Sequence, residues 1–289
     1  MQSLKDIIRK VRELEIKSKK LTNHLFTGEY HSAFKGRGMH FKEVREYQAG
    51  DDIRFIDWNV SARLGHPYSK LFEEERELTM MLMVDISNSS LFGTVYGRKK
   101  DLITEICAVL AFSAMSNQDK VGAIFFSDKI EKYIPPKKGR DHVLLMVREL
   151  LTAKPKGKGT SISSAIRFMN STLKNRSIAF LLSDFVDDNY EDALKVAARR
   201  HDLIGIKVYD PMDMALPEVG LMQVEDAETG ELAWIDTSDK KVQYQYRRQF
   251  QENEAECQQQ FKKAAADLLY IRTDEDYVKV LQKFFIKRM

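Results

Sequence analysis

Asp85-Ile-Ser87-Asn-Ser89 places a carboxylate and two hydroxyls at alternate positions, directly after an apolar run over residues 79–84. Two other segments carry the same kinds of donor: Thr160-Ser161, at the end of a glycine-containing stretch, and Ser183-Asp184-Phe185, after the apolar residues 178–182. Oxygen donors of this type suit a hard divalent cation. Mg2+ takes about six oxygens at about 2.0–2.1 Å, keeps much of its water and uses few carboxylates. Ser87 and Ser89 can ligate directly, Asp85 and Asp184 directly or through water, and Thr160 offers a fifth group. Few anionic ligands leave the ion electrophilic, with room for a carboxylate from outside. Mn2+ is served equally well by such oxygens. Ser, Asp and Asn after a strand also serve as helix caps and Asx-turns, and each segment alone reads that way. The three together, each at an expected strand end, favour a metal.

The elements that must position these groups follow from hydrophobic patterning. Continuous apolar runs at 79–84, 121–126, 177–183, 203–209 and 268–272 predict strands buried on both faces of a parallel sheet. A short edge strand is expected near 130–134, before Pro135-Pro136. Helical periodicity places helices near 98–116, 140–151, 161–173, 190–200, 240–267 and 275–286, and turns at Gly220 and Gly230 predict a hairpin over 219–237. Alternation of this kind predicts an α/β fold, a doubly wound, mostly parallel sheet, in which ligands gather beyond the carboxyl ends of the strands. An N-terminal helix is expected over about 3–25. Residues 26–77, rich in Gly and aromatics, read as hairpins, with a half-buried strand at 41–47. The expected division is therefore 1–77, helix and β-rich accessory segment, and 78–289, the sheet domain.

Composition narrows the function. The chain has 289 residues and a net charge of +3, too small for a general polybasic nucleic-acid binder. No apolar stretch approaches the roughly 20 residues of a membrane span, and the charged N-terminus is not a secretory signal. Two cysteines, Cys107 and Cys257, have no metal-ligand spacing, so a reducing, cytoplasmic setting is expected. His40, His66, His142 and His201 lack ligand spacing as well, and no nucleophile elbow or phosphate loop is present, so an enzyme has little to build on. Two alternatives stand beside a binding module. One is a metal-dependent hydrolase, with the ion activating water. The other is anionic-surface binding through the basic face of the N-terminal helix, which would be steeply salt-dependent.

The D-x-S-x-S segment, the distant Thr160 and the distant Asp184 resemble the metal-ion-dependent adhesion site of the von Willebrand factor type A fold, over roughly residues 78–289. Phe185 departs from the pattern, since many adhesion domains have Gly after the aspartate. Upstream, Arg45-Glu-Tyr47-Gln-Ala-Gly50-Asp51-Asp52-Ile-Arg54-Phe-Ile56-Asp57-Trp58-Asn-Val-Ser61-Ala62-Arg63 is similar to the signature of the bacterial domain-of-unknown-function-58 family. Asp51, Asp52 and Asp57 are expected to pair with Arg45, Arg54 and Arg63 across hairpin strands, with Trp58 anchoring the segment. Members of that family often carry N-terminal membrane helices, and their absence here implies a soluble form. The resemblance implies Mg2+ (or Mn2+) held by Asp85, Ser87, Ser89, Thr160 and Asp184. It also implies an adaptor or co-chaperone working with a MoxR-type AAA+ ATPase, with a client protein supplying the acidic ligand.

Overall fold

The computed structural model describes residues 9, 11–16, 39–74, 78–91, 93–94, 97–157, 159–225 and 232–288. Contacts divide the chain into two compact units, Phe34–Leu78 and Met1–Ala33 with Thr79–Met289.

In the smaller unit, β1 (Met39–Glu46) pairs antiparallel with β2 (Tyr68–Glu74), and α1 (Trp58–Leu64) lies between them in sequence. This corrects the expectation of hairpins alone. The Asp57 carboxylate accepts from the N–H groups of Asn59 and Val60, and Gly65 ends the helix at φ +76, a conformation that favours glycine. The charge pairing is also more local than expected. Arg45 meets Asp51 at 2.8 Å and Arg54 folds back on Asp52 at 2.6 Å, while Asp57 takes Lys70 at 3.3 Å rather than an arginine. Trp58, the expected anchor, is 70% exposed.

In the larger unit the strands are β3 (Thr79–Asp85), the two-residue pair β4 (Gly93–Thr94) and β5 (Gly97–Arg98), β6 (Lys120–Phe126), β7 (Ile130–Lys137), β8 (Ile178–Ser183), β9 (Asp202–Tyr209), β10 (Leu221–Glu225), β11 (Leu232–Asp236) and β12 (Asp267–Arg272). The helices are α2 (Lys99–Ser116), α3 (Arg140–Thr152), α4 (Ile162–Thr172), α5 (Glu191–Arg200), the single turn α6 (Pro211–Met214), α7 (Lys240–Ala264) and α8 (Tyr277–Arg288). The main sheet has six strands in the order β12-β9-β8-β3-β6-β7, all parallel except β7. This is the doubly wound fold that the patterning predicts. β7 runs on through Pro135 and Pro136 rather than stopping before them. An edge strand tolerates residues without an N–H, and the ladder to β6 is irregular opposite them.

Of the expected N-terminal helix, residue 9 and residues 11–16 are helical, and the remainder of 3–25 lies outside the described residues. Glu15 in this stretch accepts two hydrogen bonds from Arg140 at the start of α3, at 2.6 and 2.7 Å. No helix among the described residues is long and apolar enough to cross a membrane.

One face of the sheet carries α4, α5 and α7 over a core that includes Met81, Met83, Phe126, Leu181 and Phe261. Close approach of α7 depends on Gly205. A Cβ there would lie 2.4 Å from the buried Phe261 ring. Gly205→Ala is therefore expected to lower the unfolding free energy by about 1–3 kcal/mol through overpacking, measured by urea denaturation.

Candidate metal centre

Chain direction decides where the site falls. From β3 the chain moves through α2 to β6 on one side, and it later returns to place β8 on the other side of β3. β3 and β8 are thus adjacent parallel strands whose connections leave in opposite directions, the switch point at which a crevice opens beyond their carboxyl ends. Asp85 ends β3 and Ser183 ends β8.

Asp85 is 2% exposed, and both its oxygens are engaged. The Ser87 N–H donates to Oδ1 at 2.9 Å, and the Ser183 hydroxyl donates to Oδ2 at 2.6 Å. The hydroxyls of Ser87 and Ser89 lie 3.0 Å apart, so the alternate spacing in the sequence does bring both to one point. Burial, and then the nearby Asp184 carboxylate, push the Asp85 carboxyl up to about 7. Asp184 follows β8 and is itself buried. The next residue, Phe185, adopts φ +56, where glycine is at ease and a bulky side chain is strained. Its ring is packed into the core against Phe261, with centroids 5.3 Å apart, which offsets that cost.

Thr160 is pinned from both sides. Glu131 on β7 accepts from the N–H groups of Lys156 and Gly157, each at 2.9 Å, and the Ser161 N–H donates to the Ser127 carbonyl at 2.8 Å. The N–H of Ile162 donates to Asp187, three residues beyond Asp184, at 2.7 Å, which ties the Thr160 loop to the β8–α5 loop. No hydrogen bond joins the Thr160 hydroxyl to the other four residues. Its Oγ1 is buried and has no partner among the described residues.

Lys99 and Asp213 complete the surroundings, and sequence reasoning missed both. Lys99 opens α2 and is 4% exposed, with its Nζ 2.8 Å from Asp213 Oδ2 and 3.6 Å from Asp184 Oδ2. Burial would lower its affinity for a proton, but Asp184 and Asp213 outweigh that and hold it above the ordinary lysine value. Asp213 is oriented by the N–H of Asp210 at 2.7 Å in the capping box of α6. A signal for Lys99 was available: a lysine in the first turn of a helix opposes the helix dipole and needs a local reason to be there.

The residues fit a divalent cation on two observations. Asp184 and Asp213 share the Lys99 ammonium, and Asp85, pushed up to about 7 by burial and then by the nearby Asp184 carboxylate, adds a third carboxyl beside them. The site is therefore short of positive charge. The unpaired Thr160 oxygen is a buried acceptor left over. Among the described residues no group of three or more His, Cys, Asp or Glu could hold a metal. Any ion here would depend on the serine and threonine oxygens as well as on carboxylates.

Hydroxyls and carboxylates at the switch point of a six-stranded sheet place the larger unit in the doubly wound α/β class. The family described as "Protein of unknown function DUF58" matches residues 43–256, and the chain belongs to that family. Uncharacterized proteins of Mycobacterium tuberculosis and Mycobacterium bovis are each 31% identical over 281 residues, covering 96% of this chain and 88% of theirs. Among solved structures, BatB from Bacteroides thetaiotaomicron aligns with TM-score 0.52 and 18% identity, over 73% of this chain and 98% of that one. An aerotolerance-related membrane protein from Bacteroides fragilis aligns with TM-score 0.53 and 19% identity over the same shares. At these identities the likeness shows the fold alone.

Proposed function

We propose that the chain is a metal-dependent protein-interaction module. Asp85, Ser87, Ser89, Thr160 and Asp184 would hold Mg2+ or Mn2+ at the switch point, and an Asp or Glu of a client protein would complete the coordination. The bound ion supplies an electrophilic centre for that carboxylate. This chain's own residues orient the hydroxyls, hold Asp85 in place through Ser183, and limit the negative charge through Lys99. The observation that carries the reading is the crowding of carboxyls: Asp184 and Asp213 share one ammonium, and the buried Asp85 beside Asp184 is pushed up to about 7. The family resemblance supports a MoxR-type AAA+ ATPase as working partner, with this chain as adaptor or co-chaperone.

The direct test is capture of that ATPase by the immobilised chain with Mg2+ and with excess chelator. Capture is expected with Mg2+ and not with chelator or with Asp85→Ala. Capture that survives both would refute metal-dependent adhesion.

Thr160 offers a sharper test. Thr160→Val keeps the side-chain shape and removes a buried hydroxyl without a partner. Without metal the variant is expected to be as stable as the parent or up to about 1 kcal/mol more stable, since no hydrogen bond is lost. With Mg2+ it is expected to show less thermal stabilisation than the parent. Equal Mg2+ stabilisation of the two would remove Thr160 from the ligand set.

A further inference from the structure

A second feature lies beside this site and does not depend on a metal. In the sequence Leu203-Ile-Gly-Ile-Lys207-Val-Tyr209 a single cation interrupts an apolar strand. Strand alternation sends Gly205, Lys207 and Tyr209 to the face covered by α7. Gly205 lets Phe261 of α7 close on the sheet, while Lys207 and Tyr209 meet Phe250, the Lys207 Nζ lying 5.9 Å from the ring centroid. Lys207 is 2% exposed. No carboxylate among the described residues pairs with it. A buried ammonium whose company is an aromatic face is poorly compensated for its lost hydration.

Lys207 lines a cavity of about 580 Å³, within the size range of small-molecule sites. The β10–β11 hairpin contributes Met222, Val224 and Ile235 to its wall, and Leu216 and Phe250 add further apolar surface. Asp184 and Asp213 reach the same cavity, and both are paired with Lys99 rather than with Lys207. Within a largely apolar lining, Lys207 is thus an ammonium with no carboxylate paired to it among the described residues.

We propose that this cavity binds a small amphipathic anion, a carboxylate or phosphate head on the Lys207 ammonium and a compact apolar body against Phe250 and the hairpin. This assignment goes beyond the metal-dependent reading and is tested with chelator present, so the two stand or fall separately.

The experiment uses the full chain, with anilinonaphthalenesulfonate fluorescence as probe and decanoate, decanol and decyl phosphate as competitors. Decanoate and decyl phosphate distinguish the two head groups. The probe is expected to bind the folded protein, as judged by a far-UV circular dichroism spectrum unchanged by the probe, and to be displaced by at least one of the anions at about tenfold lower concentration than by decanol. Lys207→Met is expected to weaken probe binding about tenfold or more, and Lys207→Arg to retain it. Should Lys207→Met fail to fold, Met222→Trp fills the cavity from the hairpin side and is expected to exclude the probe. The proposal is overturned if decanol competes as well as both anions, if folded Lys207→Met binds the probe like the parent, or if Met222→Trp leaves binding intact. Displacement by an acidic peptide but by neither small anion would also overturn it, in favour of a protein ligand.

Discussion

Lys99→Met is expected to lower the unfolding free energy of the metal-free protein by about 3–5 kcal/mol, the cost of leaving buried carboxylates without their cation. The side chain is 5% exposed and sits between Asp184 and Asp213, so solvent cannot take its place. Urea denaturation in chelator measures the loss. A second variant separates charge from packing: adding Asp213→Asn to Lys99→Met removes one of the stranded charges and is expected to recover part of the stability. Mg2+ is expected to restore more stability to Lys99→Met than to the parent, because the variant site is more negative. A Lys99→Met protein as stable as the parent would mean that the carboxylates do not depend on this ammonium, and the charge argument for a metal would fall with it.

The second large effect concerns Asp85 and pH. Its carboxyl ordinarily titrates near 3.8 and in the folded chain is pushed up to about 7. The folded protein thus holds this proton more tightly than the unfolded chain. The corresponding stability is fully present below the unfolded value and is lost as pH rises from about 4 to about 7. In chelator, the melting temperature is expected to fall across that interval through this group, and Asp85→Asn is expected to remove that part of the slope. A metal must displace the same proton. Mg2+ affinity is therefore expected to drop up to about tenfold for each pH unit below about 7 and to level off above it. Asp85→Asn is expected to weaken Mg2+ by about 100-fold or more, read by titration calorimetry at neutral pH. An Asn variant that binds Mg2+ as tightly as the parent, with the same pH profile, would remove Asp85 from the site.

Much of the larger unit was legible because parallel strands buried on both faces leave unbroken apolar runs. The apolar runs at 79–84 and 178–182 end at the candidate ligands, so β3 and β8 and the loops beyond them could be read together. The alternate placement of Ser87 and Ser89 was equally informative, and their hydroxyls do meet at 3.0 Å. The helix α1 was missed although its punctuation was present: Asp57 at the start as a cap and Gly65 at the end in a left-handed conformation. Glycines and aromatics across residues 26–77 read as hairpins, and helical propensity over seven residues is weak evidence in either direction. Phe185 shows the opposite case. A residue that departs from the expected glycine still occupies a glycine-like conformation, because core packing of its ring outweighs local backbone preference.

The sequence by itself determined the alternation of strands and helices, the residue types at the strand ends and the small net charge. These are local properties, set by side-chain period and by what must follow a buried strand. Only the tertiary structure decided which carboxylates share an ammonium, that Ser183 joins the Ser87 N–H in holding Asp85, and that Lys207 lines a cavity with no carboxylate paired to it among the described residues. Electrostatic energy depends on distance through a poorly polarisable interior, and residues far apart in the chain are brought within a few ångströms only by the crossing of the sheet.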